Sequence, residues 1–205
     1  LSARVKSMLG QETKRLQNLQ RESHVDKITG LYNREPFLRT LESALQSNDD
    51  RSSGSLCIVR VTNLSNLNKE FGRKAIDVLL HDMGSALNRI VVQHNGWSAA
   101  RLNGSDFAVI APRLQDAATL GSDVQGAMSA VLEDHDTGKQ VQLPGGTTEY
   151  QLEDSVSALL SRLDGVLVAS EREGSSTIVQ AHPANVLLRP MHEKAEHWRS
   201  ILERA

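Results

Sequence analysis

Residues 99–112 read A-A-R-L-N-G-S-D-F-A-V-I-A-P, with two short, partly apolar runs flanking Asn103 and Gly104. An Asn-Gly pair supplies the positive φ angles of a type I′ turn, so this spacing predicts a tight hairpin. Ser105 and Asp106 then fall just past the turn. Most such hairpins carry no chemistry, and what precedes this one decides whether it does.

Upstream, residues 56–61 (L-C-I-V-R-V) form a short apolar run broken only by Arg60, the pattern of a buried strand. Leu64, Leu67 and Phe71 follow at helical spacing and stop at Gly72. Ile76, Leu79, Leu80, Met83, Leu87, Ile90 and Val91 then make the cleanest amphipathic helix in the chain. Nearer the start, Thr29 and Gly30 break the helical pattern. Asn33 is placed to cap a new helix with Pro36 in its first turn, and Phe37, Leu38, Leu41 and Leu45 mark its buried face. Residues 47–54 (SNDDRSSG) are a solvated loop by composition.

Past the hairpin, Leu114, Leu120, Val124, Met128, Val131 and Leu132 predict another helix, followed by a charged loop at 133–139. A short strand is expected at 140–143, ending at Pro144, Gly145 and Gly146. Val156, Leu159, Leu160, Leu163, Leu167 and Val168 predict a further helix, and 176–180 a closing strand. Helices alternating with strands around one central hairpin imply an α/β (α+β) fold, a mixed central sheet covered by helices.

The ends differ from this body. Within residues 1–25, Val5, Leu9, Leu16 and Leu19 match a heptad a/d seam, interrupted by the polar Glu12 and Ser23. A stripe that narrow needs a partner helix, most simply the same helix of a second copy. A terminal helix folded back on its own domain meets the same spacing. Residues 181–205 begin as a linker (AHPAN) and finish as the helical EKAEHWRSILERA. The chain opens at Leu1 without a methionine and reads as a fragment.

Composition narrows the partners. A net charge of −2 and an aromatic content of 3% argue against nucleic acid, which asks for a basic face and stacking platforms. The single cysteine, Cys57, lies inside an apolar run and reads as a core residue in a reducing compartment. No apolar run approaches the roughly 20 residues of a membrane span.

D-K-I-T-G-L-Y-N-R, then I-V-R-V-T-N-L-S-N-L-N-K-E-F-G-R-K-A-I-D-V-L-L, then R-L-N-G-S-D-F resemble the GGDEF (diguanylate cyclase) family in order and spacing, over residues 26–180. The resemblance implies a central sheet carrying the signature on a hairpin. It also implies a chemistry: two GTP molecules joined into cyclic di-GMP across a dimer, with two Mg²⁺ ions held by carboxylates. At the family's metal positions this chain has Arg60 and Ser105, and Thr62 replaces a second strand-end aspartate. Asn103 stands for the first signature glycine, while Gly104, Asp106 and Phe107 keep the pattern. An arginine repels a dication and stays protonated, so no catalytic residue, metal or other cofactor is expected.

The guanine-reading pair of the family corresponds to Asn68 and Asp77, both present. Asp77 also suits the beginning of a helix, and Asn68 suits the turn before Gly72. The phosphate lysine corresponds to Ser65, and the late basic pair to Ser170 and Gly174, with Arg172 close by. The product-inhibition motif corresponds to His94 and Trp97 and is absent. The two ends look like the signalling helix after a HAMP module and the lead-in helix of an EAL domain. In series these resemble LapD-type receptors of the bacterial inner membrane, with this portion on the cytoplasmic side. The resemblance implies a silent relay that couples a cyclic di-GMP-binding EAL domain to a membrane-proximal dimeric helix. A GTP-sensing domain that regulates its EAL neighbour is the alternative.

Overall fold

Cys57 and Val59 point into one hydrophobic core while Leu56 and Ile58 point into another. Strands buried on both faces read as unbroken apolar runs, which accounts for the lack of alternation there. The computed structural model describes residues 24–181. The seam of Val5, Leu9, Leu16 and Leu19 and the segment 182–205 lie outside the described residues.

The elements run β1 (Tyr32–Asn33), α1 (Arg34–Leu45), β2 (Gly54–Arg60), α2 (Leu64–Phe71), α3 (Arg73–Val91), β3 (Ser98–Arg101), β4 (Asp106–Pro112), α4 (Ala117–Asp134), β5 (Gly145–Tyr150), α5 (Val156–Arg172) and β6 (Ile178–Gln180). Short 3₁₀ turns occupy Asp50–Ser52, inside the loop expected at 47–54, and Asp136–Gln140, which overlaps the loop expected at 133–139 and takes in the first residue of the expected strand. The strands form one mixed sheet in the order β1-β3-β4-β2-β5-β6. β2 runs antiparallel to β4 and β5, whereas the edge pairs β1–β3 and β5–β6 are parallel. Helices α2, α3 and α4 cover one face through Leu67, Leu79, Met83, Leu87, Leu120 and Met128. Helices α1 and α5 cover the other through Phe37, Leu41, Leu159, Leu163 and Leu167. The alternation of helices with strands therefore yields the expected mixed sheet. Among the described residues no helix is long and apolar enough to cross a membrane.

Two expectations are corrected. The strand placed at 140–143 begins instead at Gly145. Residues 142–144 are still tied to the sheet, since the Gln142 carbonyl accepts the Thr62 N–H at 3.1 Å and the Pro144 carbonyl accepts the Arg60 N–H at 2.9 Å. The glycines that looked like a stop are close-approach positions. A Cβ on Gly145 would meet Ile178 at 2.7 Å, and one on Gly146 would meet Leu163 at 3.2 Å. The second correction concerns the hairpin turn: neither Asn103 nor Gly104 has positive φ, so it is not type I′. The Asn103 side chain closes it instead.

The D-K-I-T-G segment forms a turn in which the backbone N–H and hydroxyl of Thr29 both donate to Asp26 Oδ1, each at 2.8 Å. This turn lies directly on α3, where a Cβ on Gly84 would come within 2.7 Å of Thr29 Cβ. Gly84→Ala is expected to lower the unfolding free energy by about 1–2 kcal/mol, the clash exceeding the gain in helix propensity. A shift in the urea midpoint checks it.

Candidate functional site

The antiparallel register of β2 with β4 pairs Val59 with Phe107 and Arg60 with Asp106. Phe107 enters the core beneath, 1% exposed, and anchors the end of the hairpin. One residue earlier the strands leave the core, and the two charged side chains meet. Arg60 grips Asp106 bidentately, Nε to Oδ1 at 2.7 Å and Nη2 to Oδ2 at 2.9 Å. Its remaining nitrogen, Nη1, donates to Glu171 Oε2 at 3.2 Å. Glu171 comes from the last turn of α5, so one guanidinium joins β2, the signature hairpin and α5.

Asn103 builds the hairpin loop with its side chain. Its Oδ1 accepts the backbone N–H groups of Ser105 and Asp106, each at 2.8 Å. This side-chain carbonyl does the work that left-handed backbone would do in a two-residue turn. The Asn103 amide then donates to Asp106 Oδ2 at 2.8 Å, and the Ser105 hydroxyl to Asp106 Oδ1 at 3.0 Å. Each carboxylate oxygen of Asp106 therefore accepts two hydrogen bonds. On the outer side, Arg101 donates to the Gly104 carbonyl at 2.6 Å and to Asp26 at 3.3 Å, tying the hairpin to the D-K-I-T-G turn.

Burial works to raise the Asp106 pKa, but the hydrogen bonds and charge of Arg60, helped by Asn103 and Ser105, hold it below the ordinary carboxylate range. Asp26 is lowered in the same way, against burial, by its bonds to Thr29 and by Arg101. The bonds to Asp106 raise the Arg60 pKa further, so Arg60 stays charged. Burial lowers the Arg34 pKa, while the charge of Asp106 opposes that shift and marks a second guanidinium within its electrostatic reach.

The other named residues separate into groups. Arg60, Asn103, Ser105 and Asp106 are brought into contact, with Gly104 at the tip and Phe107 below. Thr62 turns away, its hydroxyl donating to the Gln142 carbonyl at 3.3 Å. Asn68 and Asp77 lie on α2 and α3, on either side of Gly72, whose φ of +81° makes the corner between them. Both are half-buried, and neither side chain makes a hydrogen bond or ion pair among the described residues. His94 and Trp97 stack with ring centroids 4.0 Å apart. Sequence reasoning alone misses Glu171; the signal available for it is the pair of acidic residues in 169–175 (ASEREGS), next to positions where a basic pair is expected.

The family model described as "Diguanylate cyclase, GGDEF domain" matches residues 23–177, and the chain belongs to that family. The diguanylate cyclase VdcA of Vibrio cholerae is 24% identical over 170 residues, 80% of this chain and 49% of its own length. The chain spans about half or less of the curated relatives it matches. Among solved structures, the coiled coil and GGDEF domain of DgcB from Caulobacter crescentus, in complex with c-di-GMP, superposes with a TM-score of 0.77 at 21% identity, covering 87% of this chain and 96% of that one. The S helix–GGDEF–EAL portion of Vibrio cholerae LapD, bound to c-di-GMP, gives 0.68 at 20% identity, covering 96% of this chain and 45% of that one.

Truncating Arg60 to alanine would leave a carboxylate side chain only 7% exposed without its counter-charge. Asn103 and Ser105 remain to share the load, so Arg60→Ala is expected to cost about 2–3 kcal/mol and roughly 5–10 °C of melting temperature. An unchanged melting temperature would show that the pair carries no weight. Because the Asp106 and Asp26 pKa values are depressed by folding, their contribution is full above the unfolded carboxylate value of about 4 and is lost as pH falls through the folded values. Urea midpoints from pH 7 to pH 3 should therefore fall on the acid side, less steeply in Asp106→Asn.

Proposed function

We propose that this domain is a catalytically silent GGDEF module that relays the ligand state of an adjoining EAL domain to a dimeric membrane-proximal helix. The observation that carries the reading is that the two metal positions hold Arg60 and Ser105, and that both are bonded to Asp106, the carboxylate beside them. The family's cyclase chemistry needs Mg²⁺, which asks for several oxygen ligands in near-octahedral array. Here each Asp106 oxygen already accepts two hydrogen bonds, and Arg60 brings a fixed positive charge to the same point. Ser105 is neutral and bonded to Asp106, and Thr62 is bonded to Gln142. The residues present do not fit a hard dication.

The likeness to an S helix–GGDEF–EAL portion of LapD supports an EAL neighbour in the same protein. The a/d seam of Val5, Leu9, Leu16 and Leu19 supports a homodimer joined upstream, with a HAMP module and a membrane segment before it. In this reading the domain sits on the cytoplasmic side of a bacterial inner membrane.

A second reading, a GTP sensor that controls the EAL domain, is favoured by one observation. The half-buried side chains of Asn68 and Asp77 make no hydrogen bond or ion pair among the described residues, leaving an amide and a carboxylate for a guanine edge. Incubation with GTP and Mg²⁺ or Mn²⁺ is expected to give no cyclic di-GMP; turnover lost in Asp106→Asn would overturn the silent assignment. Calorimetric titration of Mg²⁺-GTP is expected to give no heat of binding. Binding that disappears in Asp77→Ala would make the domain a nucleotide sensor.

A further inference from the structure

Arg60 is held on two sides of unequal strength. Toward β4 it makes the paired contacts at 2.7 and 2.9 Å to Asp106, whose side chain is 7% exposed. Toward α5 it makes one contact at 3.2 Å to Glu171, whose side chain is 32% exposed. A buried bidentate pair is strong and directional, whereas a single, longer, partly wet ion pair contributes little. Asp164, two helical turns earlier on α5, adds its negative charge to the field at Arg60.

Glu171 also stands at the beginning of the segment that leads into one edge of the sheet. From it the chain turns at Gly174, φ +64°, and enters the three-residue edge strand β6. Part of the attachment there comes from a side chain. The Gln125 amide on α4 donates to the Ser176 carbonyl at 2.7 Å and accepts the Ile178 N–H at 2.9 Å, standing in for a neighbouring strand. At the far end the Ala181 N–H donates to the Thr147 carbonyl at 2.7 Å, the last backbone contact before the chain leaves the described residues. Residues 171–181 thus form a strap tied to the hairpin site by Arg60 at one end, to Gln125, Leu143 and Gly145 in the middle, and to β5 at the other, where Ile178 also packs on the core.

We propose that Arg60 is a two-sided latch: its grip on Asp106 is permanent, while its contact with Glu171 opens to release the 171–181 strap from the signature hairpin. The proposal rests on the relay reading for its use, because the strap is the connection between the hairpin site and whatever follows residue 181. The latch itself stands on the geometry alone. It places the releasable joint on the C-terminal edge of the domain, whereas the N-terminal turn is joined to the hairpin separately through Asp26 and Arg101.

Amide hydrogen exchange on the 205-residue chain tests it, comparing wild type with Glu171→Ala and with Glu173→Ala, an exposed neighbour that removes the same charge. Glu171→Ala is expected to speed exchange of the Ile178 and Ala181 amides about three- to fivefold, the change that loss of one partly exposed ion pair allows. The hairpin amides of Leu102 and Asp106 keep their wild-type rates, and Glu173→Ala changes neither set. Unchanged exchange at Ile178 and Ala181, or hairpin amides accelerating in step with them, overturns the latch. GTP turnover by the wild-type protein would end the silent-domain reading and leave these rates untouched, so the two failures are separable.

Discussion

The pairing of β2 with β4 is the interaction on which the rest of this structure depends. It joins Gly54 to Pro112 at one end and Arg60 to Asp106 at the other, with both strands buried throughout except at Arg60. A slip of one residue would exchange the two cores, moving Cys57 and Val59 to the face of α1 and α5. It would also separate Arg60 from Asp106. Core packing on two faces therefore sets the position of a charged pair that lies outside either core.

In our reading that pair changes what the hairpin can do. A carboxylate at the end of a buried strand, with free lone pairs and open water beside it, is a cation ligand. The same carboxylate gripped by an arginine and bonded to Asn103 and Ser105 is a structural crosslink. Desolvation of Asp106 is offset by four hydrogen bonds, two of them from a guanidinium that matches carboxylate geometry. In our reading the charge lost with the metal-binding residues is answered by Arg60, and the hairpin stays ordered without an ion.

The polar contacts also extend beyond the hairpin. Arg101 reaches back to Asp26, and Arg60 reaches across to Glu171. The hairpin is thereby bonded to the turn where the described chain begins and to the helix that precedes its last strand. In our reading these are the joints of a relay, in which the partly exposed Arg60–Glu171 contact yields before the buried Arg60–Asp106 pair.

Much of this was legible in the residues. The apolar spacing of Ile76 through Val91 marks α3, Gly72 marks the corner before it, and the unbroken run at Cys57 marks a strand buried on both faces. These features follow from local rules, periodicity and backbone preference, which need no knowledge of the rest of the chain. That Arg60 and Asp106 are neighbours follows from the sheet of the family the chain resembles, not from any local pattern. What the tertiary structure decided involves residues remote in sequence. Gly145 and Gly146 form a strand instead of ending one because Ile178 and Leu163 press on them, and no local pattern reveals that pressure. The hairpin turn is closed by the Asn103 side chain instead of by positive φ, because that amide also bonds Asp106. Glu171 joins the site from more than a hundred positions away, since only the folding of α5 against β2 brings its carboxylate to the free edge of Arg60.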